Sequence, residues 1–119
     1  MAAKDELGRR GEDLAVAELE RKGLVVLARN WRCPEGELDI VATDSSSTVV
    51  FCEVKTRSGD GYGSPFDAVT QAKRRRIRRL GLLWLAQSQS RWLRMQFDVI
   101  GVRWPPGEEP TVHHLSQAF

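Results

Sequence analysis

The spacing of apolar residues along the chain predicts two helical and five extended segments. Recurrence every three or four positions indicates a helix, and recurrence at every second position indicates a strand with one buried face. The predicted helical segments are 5–22 and 65–87, and the predicted strands are 24–32, 36–42, 49–57, 94–102 and 111–116. This order predicts an α/β fold in which helices cover a mixed central sheet, with the last strand at an edge.

The ends of the predicted helices carry specific signals. Gly23 follows two basic residues, which is the usual arrangement at a helix C-terminus. The second helical segment has two candidate starts, Ser64-Pro65 and Thr70, so that residues 65–87 form either one helix or two.

One acidic residue of the first helix is predicted to face the sheet. At about 100° per residue, Glu12 lies at the centre of the small and apolar positions, whereas Glu6, Asp13 and Glu20 lie well around the helix from them. The positions around it are Gly8, Ala15, Val16 and Leu19. An inward glutamate is either a partner in a structural ion pair or a functional carboxylate, and the helix alone does not distinguish the two.

Charged residues lie inside the second and third predicted strands, where a buried ion is unfavourable unless it is paired or binds metal. Because successive side chains alternate between faces, Glu53 and Lys55 share one face of the third strand. The other face carries Val50, Cys52, Val54 and Thr56. In the second strand the alternation places Leu38, Ile40 and Ala42 on one face and Glu37, Asp39 and Val41 on the other.

The serine-rich loop between these two strands predicts how they pair. A hairpin centred on Ser46 places Asp39 opposite Glu53. Directly opposed carboxylates destabilise a sheet, so this register predicts a divalent cation between them, with Lys55 nearby. Oxygen ligands without His or Cys favour Mg²⁺ or Mn²⁺ over zinc. A shift of the register by one residue would turn Asp39 to the other face.

The composition is that of a soluble globular protein with a single domain, residues 1–119. Of the 119 residues, 41% are hydrophobic and 29% are charged, and no apolar run is long enough to span a membrane. The first residues lack the apolar core of a secretory signal, so the expected location is the cytoplasm. Cys33 and Cys52 lie apart, without a CxxC motif or a Cys/His cluster, which indicates buried thiols rather than zinc ligands.

The net charge is only +2, but positive charge is concentrated in the second helical segment. Residues 73–79 contain six Lys and Arg side chains, a density suited to phosphates; a solvated helix face is the alternative. Lys73 heads an apolar stripe and points either toward the charged strands or along the edge of the core. Tyr62, in a glycine-rich loop, either stacks on a base or packs locally. The predicted nucleic-acid-binding residues are Arg32, Arg57, Tyr62, Lys73, Arg74, Arg75 and Arg76.

One set of charged residues resembles the signature of the PD-(D/E)xK nuclease superfamily, which includes Holliday-junction resolvases and restriction endonucleases. The set consists of Asp39, the motif Glu53-x-Lys55 and an acidic residue on the preceding helix. The whole chain is similar to the bacterial YraN-like family of predicted endonucleases. The motifs that carry this similarity are Gly8-x-x-Gly11-Glu12-x-x-Ala15, Arg29-Asn30-Trp31-Arg32, Gly36-Glu37-Leu38-Asp39-Ile40-Val41, Val50-Phe51-Cys52-Glu53-Val54-Lys55-Thr56-Arg57, Ala68-Val69 with Lys73, Phe97-Asp98-Val99 and Ala118-Phe119. Leu38 stands where the superfamily's name has proline, a change that removes no ligand.

The resemblance implies a restriction-endonuclease-like three-layer fold, with helices on both faces of the mixed sheet, and a site with assigned roles. It implies metal binding by Asp39, Glu53 and Glu12, Mg²⁺ or Mn²⁺ as the cofactor, and Lys55 as the catalytic lysine. DNA is the implied substrate, with RNA as an alternative. Resolvase-like relatives act as dimers, so a homodimer is among the expected states.

Three hypotheses account for these residues. The first is a metal-dependent endonuclease that hydrolyses DNA phosphodiester bonds, branched or Holliday-junction-like structures included, through Glu12, Asp39, Glu53 and Lys55. The second is a nucleic-acid-binding protein that retains the nuclease fold without catalysis. The third is a structural or interaction protein in which the acidic residues form an ion-pair network around Lys55.

Overall fold

The fold is described by a computed structural model that covers residues 3–44, 47–59, 66–89, 91–92 and 94–119, with side chains from Glu6 onward. Within these ranges, two α-helices and five strands follow one another in the predicted order, so the α-β-β-β-α-β-β arrangement is confirmed. Their bounds are α1 Ala3–Arg21, β1 Val25–Cys33, β2 Gly36–Thr43, β3 Thr48–Arg57, α2 Gln71–Gln87, β4 Arg94–Arg103 and β5 Thr111–Leu115. A short 3₁₀ turn, Phe66–Ala68, precedes α2.

The strands form one five-stranded sheet in the order β1-β2-β3-β4-β5. β3 and β4 are parallel and the other neighbouring strands are antiparallel, so the sheet is mixed, as predicted. α2 lies in the crossover connection that the parallel pair requires. β2 and β3 pair from Ile40↔Cys52 to Thr43↔Val49, which is the register predicted for a hairpin centred on Ser46.

The two helices cover opposite faces of the sheet and produce three layers. α2 packs on one face, where Leu80 and Trp84 join a core built around Phe51. α1 packs on the other face, where Leu19 contributes to a second core that includes Ile40. Both faces of the central strands are therefore buried under apolar side chains. Among the described residues, neither helix is long and apolar enough to cross a membrane.

The side-chain alternation of β2 differs from the predicted pattern at one point. Leu38 packs into the core under α2 and Ile40 packs into the core under α1, although strict alternation predicts one face for both. The change of face occurs at Asp39, opposite Asn30 of β1, whose φ of 52° is left-handed. A left-handed residue departs from the regular pleat of a strand, and Asn30 lies where the faces of β2 change.

The predicted helix boundaries agree with the structure. α1 ends before Gly23, which has a φ of 88°, and the N–H of Leu24 donates to the carbonyl of Leu19 over 3.0 Å. This is the hydrogen-bond pattern of a helix capped by glycine. α2 begins after Thr70, whose hydroxyl accepts a backbone N–H of the first turn. Thr70 is therefore the start of α2, and the other candidate, Ser64-Pro65, lies outside the described residues.

Asp98, a buried carboxylate of β4, forms hydrogen bonds that hold the edge strand β5 against the sheet. Asp98 is 1% exposed, and it accepts hydrogen bonds from ring Nε2 of His114 over 2.7 Å and from the N–H of Gln117 over 2.9 Å. The other ring nitrogen of His114 lies 2.9 Å from Nζ of Lys22, at the end of α1. His114 therefore links Asp98 of β4 to Lys22, which follows α1. His113 is exposed, so the two histidines point apart, as alternation predicts.

Close contact between α1 and β3 depends on Gly11. A Cβ atom at this position would overlap the hydroxyl of Thr56 and would lie 2.7 Å from its methyl carbon. The helix backbone therefore approaches the sheet more closely than a larger residue would allow, and this approach brings Glu12 over the end of the sheet. At Gly8, in the preceding turn, a Cβ atom would have open space.

Gly11→Ala is expected to destabilise the fold, because the added methyl group forces α1 or Thr56 to move. We expect the free energy of unfolding, measured by urea denaturation, to fall by about 1–3 kcal/mol. Gly8→Ala is the matched control, and it is expected to be neutral or to stabilise the helix by about 0.5–1 kcal/mol. Equal effects of the two substitutions would contradict a tight contact at Gly11.

Candidate functional site

An open pocket of about 480 Å³ lies at the end of the sheet where β2 and β3 separate. The pairing of β2 with β3 ends at Ile40 and Cys52. Residues beyond this point line the pocket instead of pairing across the hairpin. α1 forms another wall. The charged and polar lining residues include Glu12, Asn30, Arg32, Glu37, Asp39 and Lys55. Three of the four predicted catalytic residues therefore reach one pocket.

Asp39 occupies the point at which the two strands separate. Its Oδ2 accepts the N–H of Val54 over 2.9 Å, in place of a backbone acceptor on β2. Burial, and then the negative charge of Glu53, raises the pKa of Asp39 to about 7. The two carboxyl groups are therefore neighbours, as the hairpin register predicts, and the charge of Glu53 opposes the ionisation of Asp39.

Two lysines accompany the paired carboxyl groups. Nζ of Lys73, in the first turn of α2, lies 3.5 Å from Oε2 of Glu53. Burial, and then the positive charge of Lys73, lowers the pKa of Lys55. The two ammonium groups are thus close enough to repel each other. Together, Asp39, Glu53, Lys55 and Lys73 form the carboxylate–lysine cluster.

Glu12 faces the sheet as predicted and is 8% exposed. Its Oε1 accepts hydrogen bonds from Nε of Arg29 and Nδ2 of Asn30, each over 3.0 Å. Arg29 also forms an ion pair with Asp13 over 2.7 Å. Burial raises the pKa of Glu12, and the hydrogen bond and charge of Arg29 act against that rise. Glu12 is therefore an ion-paired carboxylate on the pocket wall.

The donor atoms of the cluster suit a hard divalent cation. Asp39 and Glu53 provide the carboxylate oxygens that Mg²⁺ and Mn²⁺ prefer; the pKa of Asp39 is raised first by burial and then by the negative charge of Glu53, and a cation would offset that charge. Across the described part of the chain, no group of three or more His, Cys, Asp and Glu side chains is close enough to hold a metal ion. Asp39 interacts electrostatically with both Glu53 and Glu12, and Glu12 is also engaged by Arg29.

Arg29 and Asn30, which hold Glu12, have no assigned role in the sequence-based prediction. A signal for both is present in the sequence, because a tight turn at Pro34-Glu35 pairs Asn30 with Asp39 and places two polar residues beside the predicted acids. Periodicity does not reveal the left-handed backbone of Asn30, whose amide reaches Glu12. This conformation is uncommon for residues other than glycine, and asparagine is among those that adopt it most readily.

The arginines predicted on α2 divide into packed and exposed side chains. The guanidinium of Arg74 lies 4.4 Å from the ring centre of Phe66, and its Nε donates to the carbonyl of Val69 over 3.0 Å. Arg75 and Arg76 are exposed. Arg74 therefore stabilises the start of α2, while its two neighbours extend into solvent.

The other predicted nucleic-acid-binding residues lie in several environments. Arg32 is exposed at the pocket and forms an ion pair with Glu37 over 3.3 Å. Arg57 is partly buried at the end of β3, where it lies opposite Arg103 in the strand register of β3 and β4. Tyr62 lies outside the described residues. Positive charge thus reaches the surface at the pocket from Arg32 of β1, and Arg75 and Arg76 add exposed positive charge on α2.

Fold and cluster together define an α/β protein with three layers and a pair of carboxyl groups at the end of a mixed sheet. The chain belongs to the family described as Uncharacterised protein family UPF0102, whose sequence profile matches residues 11–102. This membership confirms the similarity to the YraN-like family. The matched segment contains Glu12 and every residue of the carboxylate–lysine cluster.

Relatives that match nearly the whole chain agree with this membership. A UPF0102 protein of Mycobacterium avium is 58% identical over 111 residues, which cover 92% of this chain and 87% of the relative. A UPF0102 protein of Mycolicibacterium smegmatis is 54% identical over 112 residues, 93% of this chain and 90% of the relative. A UPF0102 protein of Nocardia farcinica is 50% identical over 116 residues, 98% of this chain and 91% of the relative.

Asp39→Asn is expected to make the protein more stable at neutral and alkaline pH. A carboxyl group whose pKa is raised from 3.8 to about 7 stabilises the fold below pH 3.8, and that stability is lost as the pH rises through 7. The asparagine oxygen still accepts the N–H of Val54 but does not ionise. After allowance for solvent screening, the advantage of the variant should grow by about 1–3 kcal/mol between pH 4 and pH 8.

The measurement is urea denaturation in EDTA across this pH range. Glu108→Gln, which removes an exposed carboxylate from the loop between β4 and β5, is the control for the loss of one negative charge. A stability difference between Asp39→Asn and the unsubstituted protein that stays constant with pH would contradict the raised pKa of Asp39.

Proposed function

We propose that this protein is a metal-dependent endonuclease that hydrolyses DNA phosphodiester bonds, with branched and Holliday-junction-like structures among its substrates. The observation that carries the proposal is the pairing of Asp39 with Glu53, beside two lysines, at an open pocket. Neighbouring carboxylates leave negative charge that Mg²⁺ or Mn²⁺ would offset. Lysines beside such a pair are suited to a substrate that is itself an anion.

The residues of the cluster have distinct roles in this proposal. Asp39 and Glu53 hold the cation, which supplies Lewis acidity toward the phosphodiester when bound. Lys55 offers its positive charge to the phosphate oxygens as negative charge develops on them. Glu12, oriented by Arg29, provides a further carboxylate at the pocket wall. There it accepts a proton from the water that attacks the phosphodiester.

Exposed arginines at the pocket and on α2 supply the contacts to flanking phosphates. Arg32, Arg75 and Arg76 are suited to this task because their side chains reach solvent. Contacts of this kind position a nucleic acid without selecting its sequence. Paired incisions of a four-way junction need two copies of the site, so the proposal includes a homodimer on DNA, acting in the cytoplasm.

A nucleic-acid-binding protein without catalysis is the second candidate. Two observations favour it. Glu12 is neutralised by Arg29, and in the described ranges no third carboxylate joins Asp39 and Glu53. On this hypothesis the exposed arginines bind phosphates, and the cluster serves as an ion-pair network that stabilises the sheet.

DNA cleavage is expected to require Mg²⁺ or Mn²⁺ and to fall at least about 100-fold in Glu53→Gln and in Lys55→Met. The first substitution removes a cation ligand, and the second removes charge that stabilises the transition state. The measurement is a cleavage screen over linear, single-stranded, flapped and four-way substrates, made of DNA and of RNA. Glu108→Gln is the control, and circular dichroism shows whether each variant is folded.

The outcomes separate the three hypotheses. If no substrate is cleaved with either metal, and salt-dependent binding is lost in Arg75→Ala/Arg76→Ala but kept in Glu53→Gln, the protein binds nucleic acid without catalysis. If Glu53→Gln unfolds the protein and added metal leaves the melting temperature unchanged, the cluster is structural. Either result contradicts the endonuclease.

A further inference from the structure

The first turn of α2 holds a cation against one of the two paired carboxyl groups. Thr70 caps the helix by accepting the N–H of Lys73 over 3.2 Å, so the backbone of Lys73 is fixed at the helix start. Nζ of Lys73 lies 3.5 Å from Oε2 of Glu53, and the two side chains are 36% and 16% exposed. Partial shielding from water makes this contact stronger than a fully exposed ion pair.

The contact is selective within the carboxylate–lysine cluster. Among the residues that the structure describes, the ammonium group at ion-pairing distance from Glu53 is that of Lys73, although Lys55 belongs to the same strand as Glu53. Asp39 accepts the N–H of Val54 instead. Lys73 therefore balances the charge of one carboxylate, while Asp39 and Lys55 line the pocket.

We propose that Lys73 is the resident counter-ion of Glu53 and that it lowers the affinity of the site for divalent cations. This inference rests on the metal site of the proposed function. A cation held by Asp39 and Glu53 has to share the Glu53 carboxylate with an ammonium group or displace it. Repulsion between the two positive charges opposes binding in either case.

The proposal gives Lys73 a different role from the arginines that follow it. Part of the positive charge of Lys73 is committed to Glu53, whereas Arg75 and Arg76 extend into solvent. Lys73 is thus a positioning residue that sets the charge of a metal ligand. Its replacement is expected to change metal binding even when no nucleic acid is present.

The test is Mn²⁺ binding to the whole protein without nucleic acid, measured from the electron paramagnetic resonance signal of free Mn²⁺. Lys73→Met is expected to bind Mn²⁺ about tenfold more tightly than the unsubstituted protein, because a neighbouring positive charge is removed. Lys73→Arg keeps the charge and should stay within about twofold of the unsubstituted protein. Arg75→Met is the matched control, since it removes an exposed charge from the same helix.

The results distinguish failure of this proposal from failure of the proposed function. If the unsubstituted protein binds Mn²⁺, and Lys73→Met binds it equally or more weakly, the role of Lys73 is overturned and the metal site stands. If neither protein binds Mn²⁺, the metal site and the endonuclease are overturned together with the inference. Loss of binding in Asp39→Asn would assign the ion to this cluster and support the proposal.

A double-substitution cycle tests the ion pair without metal. The unfolding free energies of Lys73→Met, Glu53→Gln and the double variant, measured in EDTA, are expected to be non-additive. Glu53→Gln removes the negative charge that Lys73 balances. Lys73→Met should therefore change the unfolding free energy of the Glu53→Gln variant only a little. Additive effects would show that the pair is not formed in solution, and they would overturn the proposal.

Discussion

The hydrogen bond from the N–H of Val54 to the carboxyl group of Asp39 is the interaction on which the pocket depends. A backbone N–H inside a protein needs an acceptor, and beyond Ile40 and Cys52 the neighbouring strand no longer supplies one. The carboxyl group takes that place, so the strands separate without leaving a polar group unsatisfied. The same bond fixes Asp39 beside Glu53. The same hydrogen bond therefore accounts for the separation of the two strands and for the proximity of the two carboxyl groups.

Much of the fold follows from local rules that a sequence displays. The helix ends at Gly23 and Thr70 depend on short-range backbone chemistry, and a short loop sets the register of the hairpin. The position of Leu38 does not follow from alternation, because it depends on one left-handed residue, Asn30, in the neighbouring strand. The partners of Glu12 follow only in part: a tight turn at Pro34-Glu35 places Arg29 and Asn30 beside the predicted acids, but periodicity does not reveal the left-handed backbone of Asn30.

The arginine-rich segment shows why the number of charges predicts a binding surface less well than their positions do. Consecutive helical residues point about 100° apart, so neighbours in sequence meet different surroundings. The guanidinium groups of Arg74 and Arg78 lie over aromatic rings, which fixes them against the protein. Arg75 and Arg76 lie between them in the sequence and are exposed. A single basic run thus serves both packing and solvent-facing roles.

The parallel pairing of β3 with β4 makes the site depend on contacts of different range along the chain. β2 and β3 are joined by a short connection, so their pairing requires little loss of chain entropy, whereas β4 pairs with β3 only across the connection that contains α2. Asp39 and Glu53 are thus neighbours through the local hairpin, whereas Lys73 reaches Glu53 from the crossover helix. A change confined to the crossover would therefore alter the charge balance at Glu53 and leave the register of the hairpin unchanged.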